Sequence, residues 1–375
     1  MNTVVGVIGG GQLARMMVPP AINLGLDIRV FAESAGSSAQ IAASQVGDYK
    51  SFEAVLAFAQ QCDVVTFDHE HVPQAVLMEL VRHGISVQPG PHALIFAQDK
   101  LRMRERLTAL GIPVPGWVRA ETAADVDSFL AEYGGRVVAK TATGGYDGKG
   151  VRVITSSTDV AQWLTQLAPG EALLLEELVE FRRELAQLVA RRPSGELALW
   201  PVVETVQENG VCSEVIAPAP HSHGRIADVA AQIAADIAEG LDVTGVMAVE
   251  LFETTDDRIL VNELAMRPHN SGHWSIDGST TSQFEQHLRA VLDLPLGATG
   301  LTEPVSVMVN ILGGPEGGGL DSRYARAMAL HPTVKFHSYG KESRPGRKVG
   351  HVTASGEDIA EVAYQARGAS VFFQR

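Results

Sequence analysis

Val4–Ile8 is a short apolar run that ends in Gly9-Gly10-Gly11. A helical spacing of apolar positions follows, and then a second apolar run, Ile28–Ala32. Strand, glycine turn, helix and strand in that order open a parallel α/β sheet. Val64–Phe67 and Ile85–Val87 extend it, and Pro89-Gly90-Pro91 is a turn cluster that closes a Rossmann-like domain over residues 1–92. Lys100–Leu110 then reads as a helix stopped by Gly111-Ile112-Pro113. Arg136–Lys140 and Leu173–Glu176 read as strands, with a helix near Ala161–Leu167 between them. From Glu184 to Glu263 the two-residue period dominates: Glu184–Ala190, Leu197–Val203, Met247–Phe252 and Ile259–Leu264 are the expected strands. An alanine-rich helix, Ile226–Glu239, interrupts them, and Thr281–Leu292 is a helix after them. This pattern predicts an α+β middle domain over residues 93–296, ending at Leu294-Pro295-Leu296-Gly297. Residues 297–375 read as a small third domain of short strands and turns, with a flexible loop at Gly313–Gly319.

Composition narrows the classes. Apolar residues make up 45% and charged residues 20% of the 375, as in an ordinary soluble globular protein. Thirty cations against 44 acids give a net charge of −14, which excludes a general nucleic-acid binder. No apolar run is long enough to span a bilayer, and no positively charged leader begins the chain. Two cysteines, Cys62 and Cys212, form no framework, so a reducing cytoplasm is expected.

Four local features carry chemistry. Gly9-x-Gly11-x-x-Ala14 fits the dinucleotide fingerprint, and Glu33 stands where a ribose-binding acid would, which suggests an NAD-dependent dehydrogenase. The same turn could be purely structural, or could hold another phosphate on its N–H groups. Thr143–Gly150 has four glycines in eight residues, with Lys149 inside it and Lys140 just before, but does not match a P-loop. Its chemistry is that of a phosphate cover; its bland reading is a solvated hairpin. Met247–Phe252 and Ile259–Leu264 flank a polar turn as a hairpin, which sets Glu250 opposite or diagonal to Glu263. Two acids so placed are either on a solvent face or share a hard cation such as Mg²⁺, with Asn262 as a further oxygen. Arg267-Pro268-His269-Asn270-Ser271-Gly272-His273-Trp274 gathers donors suited to a small oxyanion. Zinc at His269 and His273 lacks further ligands. Lys341, Arg344, Arg347 and Lys348 add a basic run to an acidic chain, as a solvated loop or an anion site.

In combination these stretches resemble the ATP-grasp superfamily, and within it the N5-carboxyaminoimidazole ribonucleotide synthetases. Gly9–Leu13, Thr143–Gly150, Gly245–Glu250, Asn262–Leu264, Arg267–Trp274, Ser282–Arg289 and Arg344–His351 carry the likeness. Ala14 and Met266 depart from the usual glycine and proline without replacing a chemical group. The resemblance implies a pre-ATP-grasp domain, an ATP-grasp domain with a mobile lid at about residues 120–180, a small C-terminal domain, and a homodimer. It implies carboxylation of 5-aminoimidazole ribonucleotide by bicarbonate through carboxyphosphate, at the expense of ATP with Mg²⁺ or Mn²⁺. By the same resemblance Lys100, Lys140, Gln207 and lid residues Gly145, Tyr146, Asp147, Gly148, Lys149 and Gly150 serve ATP. Glu176, Glu177, Val179 and Glu184 line its adenosine, and Glu250 and Glu263, beside Asn262, hold the metal. Arg267, His269, Asn270 and Ser271, with Lys348, act on bicarbonate. Gln12, Glu70, Tyr146, Asp147, Lys149, Lys341, Arg347 and Lys348 face the aminoimidazole nucleotide. A formate-dependent glycinamide ribonucleotide transformylase is the alternative within the superfamily.

Overall fold

The computed structural model describes residues 2–144, 150–315 and 319–374. Four strands, β1 (Val4–Ile8), β2 (Asp27–Ala32), β3 (Ala43–Val46) and β4 (Val64–Phe67), form a parallel sheet in the order β3-β2-β1-β4. β1 and β4 are buried on both faces, as parallel strands covered by helices must be. The expected strand Ile85–Val87 is reduced to one bridge, Val87 beside Val65, because Pro89 has no N–H with which to continue the ladder.

A second sheet, in the order β5-β8-β6-β7, is antiparallel: β5 (Trp117–Ala120), β6 (Val137–Thr141), β7 (Val151–Ile154) and β8 (Leu173–Glu177). It packs Val137, Ala139, Leu173 and Leu175 against the helix Ala123–Glu132. β6 and β7 are the arms that carry the Thr143–Gly150 segment, of which residues 145–149 lie outside the described residues.

The third sheet has nine strands. They are β9 (Phe181–Arg191), β10 (Leu197–Leu199), β11 (Val203–Glu208), β12 (Val211–Ala217), β13 (Gly245–Thr254), β14 (Ile259–Ala265), β15 (Val305–Leu312), β16 (Lys335–Ser338) and β17 (Lys348–Gly356). Their order is β14-β13-β9-β11-β12-β15-β17-β16, with β10 pairing β9. One face packs Leu185, Val189, Met247 and Val249 against the helix Arg225–Gly240; the other buries Ala186, Leu188, Val246, Ala248 and Trp274. The expected single strand Leu197–Val203 is broken at Trp200-Pro201, where proline removes a ladder donor. The tail also differs from expectation. β15 and β17 are long and buried, and helices Asp321–Leu330 and Ile359–Val371 accompany them. Val362, Ala363, Ala366 and Ala369 form one apolar stripe on that last helix, and Phe373 just beyond it joins the same core. β12 pairs β15 directly, so the expected boundary near residue 297 falls within a continuous sheet.

Contacts near the cleft help fix the first sheet to the third. His287, on the helix Gln283–Val291, accepts from the Val246 N–H at Nδ1 (3.0 Å), so its Nε2–H donates to Thr66 Oγ1 (2.7 Å). Glu70 accepts from the Met266 N–H (3.2 Å) and from Arg267 Nε (2.7 Å).

Candidate active site

β13 and β14 set the first part of the site. Their register aligns Glu250 with Glu263 and then slips by a bulge between Glu250 and Leu251. The face that buries Val246 and Ala248 becomes acidic two residues on, at Glu250, where the sheet opens to a cleft. Lys100 Nζ stands 3.9 Å and Lys140 Nζ 4.0 Å from Glu263 Oε1. His269 Nε2 lies 3.2 Å from Glu250 Oε1. Burial would raise the Glu250 carboxyl, but His269, Lys348 and Lys140 outweigh it and hold the group below its ordinary range. Two hard-oxygen ligands on adjacent strands fit a Mg²⁺ ion that finishes its shell with phosphate and water. Among the described residues no three His, Cys, Asp or Glu side chains converge on one metal position.

Lys140 is held on its other side. Its Nζ meets Glu176 Oε2 at 2.7 Å and donates to Asn262 Oδ1 at 3.2 Å. Arg104, whose side chain is fully buried, binds the other Glu176 oxygen and the Asn262 carbonyl. Burial raises the Glu176 carboxyl, and the Arg104 and Lys140 charges overcome this and keep it ionised. Sequence reading overlooked Arg104. The available signal was its place on the stripe of Leu101 and Leu107 in Lys100–Ala109, where a solvated arginine would not sit.

His269 caps the turn Asn270–Gly272. Its Nδ1 accepts from the Ser271 N–H (3.4 Å) and lies 2.9 Å from Ser271 Oγ, so the ring proton is on Nε2, toward Glu250. Asn270 exchanges hydrogen bonds with Asn310 at 3.0 and 2.7 Å, and Asn310 reaches the Cys212 carbonyl at 2.9 Å. Arg267 spends two of its five N–H bonds, on Glu70 and on the Pro268 carbonyl, which leaves others for a ligand.

Three cavities meet here. The first, about 550 Å³, is lined by Lys140, Glu176, Glu177, Val179, Glu184, Gln207, Glu250, Asn262, Glu263, His269, Asn270, Ser271 and Lys348. In it burial and the nearby Glu250 push the Glu184 carboxyl up to about 7, against a bond from Gln207. The second, about 640 Å³, takes in Glu70, Lys100, Gly144, Glu250, Glu263, Arg267 and His269, with Tyr49, Lys50, His69 and His71, which the sequence did not single out. The third, about 270 Å³, has Gln12, Arg267, His269, Asn270, Lys341, Arg347 and Lys348. Lys341 Nζ donates to Gln12 Oε1 across the domains. His269 borders all three. A larger cavity, about 900 Å³, lies apart, between the helix Lys100–Ala109 and the second sheet, and contains none of the paired carboxylates. Gly145, Tyr146, Asp147, Gly148 and Lys149 lie outside the described residues.

The dinucleotide reading fails on geometry. Gly10 N–H donates to Glu33 Oε2 (3.0 Å), and His69 Nε2 pairs with Oε1 (3.0 Å). The His69 bond, with the Gly10 bond, brings the Glu33 carboxyl down to about 2 against the effect of burial. Asp68 Oδ1 accepts from the Ala14 N–H (2.8 Å), and a Cβ on Gly11 would stand 2.0 Å from Asp68 Oδ2. The chain's own carboxylates occupy the helix N-terminus that a pyrophosphate would need.

Comparison with known proteins identifies the family. The ATP-grasp domain family matches residues 105–284, the ribonucleotide synthetase preATP-grasp domain residues 1–98, and the phosphoribosylaminoimidazole carboxylase C-terminal domain residues 306–365. The chain is 50% identical over 367 residues to the N5-carboxyaminoimidazole ribonucleotide synthase of Mycobacterium tuberculosis, covering 96% of this chain and 86% of that one. With the enzyme of the same name from Corynebacterium ammoniagenes it shares 48% over 381 residues, 98% and 91% of the two chains. It is similar to the solved structure of an N5-carboxyaminoimidazole ribonucleotide synthetase in its ADP complex, with TM-score 0.89 and 34% identity over 99% and 97% of the chains. The Aspergillus clavatus synthase in complex with ADP and 5-aminoimidazole ribonucleotide matches with TM-score 0.87 and 33% identity over 99% and 98%.

Proposed function

This chain belongs to the N5-carboxyaminoimidazole ribonucleotide synthase family of ATP-grasp ligases, and from that premise we propose how its own residues divide the work. The protein is an ATP-dependent ligase that carboxylates 5-aminoimidazole ribonucleotide in purine biosynthesis. We assign bicarbonate as the carbon source, activated to carboxyphosphate by phosphoryl transfer. The observation that carries the assignment is the place of His269 at the junction of three cavities, as a reaction joining three substrates requires.

ATP lies in the 550 Å³ cavity, with adenosine against Glu176, Glu177, Val179, Glu184 and Gln207, and with its phosphates toward Lys140 and Lys100; by family likeness the Thr143–Gly150 segment would serve as their cover. Mg²⁺ or Mn²⁺ on Glu250 and Glu263, beside Asn262, would neutralise charge on the transferring phosphoryl group. Lys140 cannot drift toward solvent, since Glu176 and Asn262 hold it. Arg267, His269, Asn270 and Ser271 bind the bicarbonate oxygens: bicarbonate is a poor electrophile, and donors fixed where its charge develops lower the barrier. Glu70 acts on this set by holding Arg267, a positioning role beside the one expected of it toward the nucleotide. The nucleotide occupies the 270 Å³ cavity with Gln12 and with Lys341, Arg347 and Lys348 on its phosphate. Carboxyphosphate hydrolyses in water, so the cover must exclude solvent until the amine attacks. A homodimer in the cytoplasm is part of the same proposal; sedimentation at twice the chain mass would support it.

An ATPase assay with single omissions tests the reading. Phosphate release should require Mg²⁺ and rise strongly with 5-aminoimidazole ribonucleotide and bicarbonate together. Equal turnover on glycinamide ribonucleotide with formate overturns the substrate assignment.

A further inference from the structure

Behind the Arg267–Asn270 turn lies a buried imidazole that this division of labour leaves unused. The Gln283 amide has a defined orientation: Oε1 accepts from the His269 N–H at 2.8 Å, and Nε2 donates to the His269 carbonyl at 2.8 Å. The same Nε2 stands 2.8 Å from His273 Nδ1. An amide nitrogen only donates, so Nδ1 is the acceptor and the His273 proton sits on Nε2. That Nε2 is buried and has no hydrogen-bond partner among the described residues. A buried donor left unpaired costs about 1–3 kcal/mol, and folded proteins rarely tolerate it. Phe284 (centroids 5.6 Å apart), Tyr339 (6.1 Å) and His351 (5.2 Å) pack around the ring. His273 also forms part of the wall of the 270 Å³ cavity, together with Arg267, Lys341, Arg347 and Lys348. Burial and the neighbouring charges depress its basicity far below the usual imidazole range, so the ring is a neutral donor beside four cations.

We infer that His273 is a further substrate-binding residue, whose Nε2–H donates to a phosphate oxygen of the nucleotide held in that cavity. The inference rests on the reading of the cavity as the aminoimidazole nucleotide site. It makes sense of the bond pattern. Gln283 spends its amide on fixing both the His269 turn and the His273 tautomer, so one side chain aligns the bicarbonate donors and the phosphate donor. A neutral N–H can be buried at small cost where a fifth cation could not.

The test uses full-length protein with ¹⁵N-labelled histidine. Long-range ¹H–¹⁵N spectra should show His273 protonated at Nε2, identified by loss of the signal in His273→Phe. Adding 5-aminoimidazole ribonucleotide should shift that Nε2 resonance, and inorganic phosphate should shift it in the same direction. ADP alone, or the unphosphorylated aminoimidazole riboside, should leave it in place. His273→Phe keeps the ring and leaves Gln283 its bond to the His269 carbonyl. It should raise the KM for the nucleotide about ten-fold, a loss of about 1.4 kcal/mol, with the KM for ATP nearly unchanged. An Nδ1–H tautomer, or an Nε2 signal indifferent to bound nucleotide, overturns the inference. The latter would mean a buried water shared with His351 Nε2, which also lacks a partner among the described residues. Should His273→Phe not fold, loss of the signal in His273→Gln makes the assignment, and the wild-type spectra then decide. Failure of the nucleotide to bind at all, seen as no change in any histidine signal and no stimulation of ATP hydrolysis, would instead overturn the function proposed for the site.

Discussion

Glu250 and Glu263 would repel one another if they stood alone, and the structure surrounds them with Lys100, Lys140 and His269. In Glu263→Gln the shape persists and one of the two charges proposed to hold the metal is removed. Turnover should fall by about 100-fold or more, the scale of losing one charge-stabilising group at a reacting phosphate, while the thermal midpoint stays near wild type. Retained activity would remove Glu263 from the metal site. Lys348 is a different case, because it borders both the 550 Å³ cavity proposed for ATP and the 270 Å³ basic one. Lys348→Ala should raise the KM for the aminoimidazole nucleotide more than that for ATP, by about ten-fold, as removal of one charged hydrogen bond to a phosphate would. Equal effects on the two would place the lysine on the ATP side.

Among the elements, the helix Gln283–Val291 has an unusual duty. It carries Gln283, which orders the His269 turn, and one turn later His287, which bridges β13 to Thr66 of β4. Burial lowers the His287 imidazole to about 3, so the folded protein keeps it neutral where the unfolded chain would protonate it. Stability from this residue is complete above the unfolded value near 6.5 and is lost as pH falls toward 3. By pH 5 the loss is roughly 2 kcal/mol. Urea unfolding at about pH 7.5 and about pH 5 should show the wild type losing that much more than His287→Gln, which bonds but does not titrate. Parallel losses in the two proteins would mean that His287 is not the titrating group.

The whole molecule depends on the nine-stranded sheet. β12 pairs β11 on one side and β15 on the other, and Arg367 of the last helix grips Glu214 of β12 with two bonds of 2.7 and 2.8 Å. A chain ending at residue 296 would bare the β12 edge and leave Asn270 without Asn310. Exposed edges aggregate, and unpaired buried amides are costly. Such a truncation should therefore be insoluble or inactive in ATP hydrolysis, although it keeps Glu250 and Glu263. Soluble, active protein would make residues 297–375 a separable module.

Local patterns in the sequence determined much of this. Continuous apolar runs placed β1 and β4, the two-residue period placed β13 and β14, and a hairpin of that length sets Glu250 across from Glu263, since strand register follows from the turn. The stripe on Ile359–Val371 was equally legible, yet the tail reads as turns when its prolines and glycines are weighed above its period. Proline, in turn, cut Leu197–Val203 and Ile85–Val87, where apolar content alone suggested continuous strands. Only the tertiary structure decided what depends on distant partners. Arg104 is buried because Glu176 lies 72 positions along the chain, and Glu33 is silent toward dinucleotides because His69 and Gly10 claim it. The Gln283 amide assigns the His273 proton across ten residues and a turn. Hydrogen bonds and charges act over a few ångströms in space, so a chain read in order shows the groups but not which of them meet.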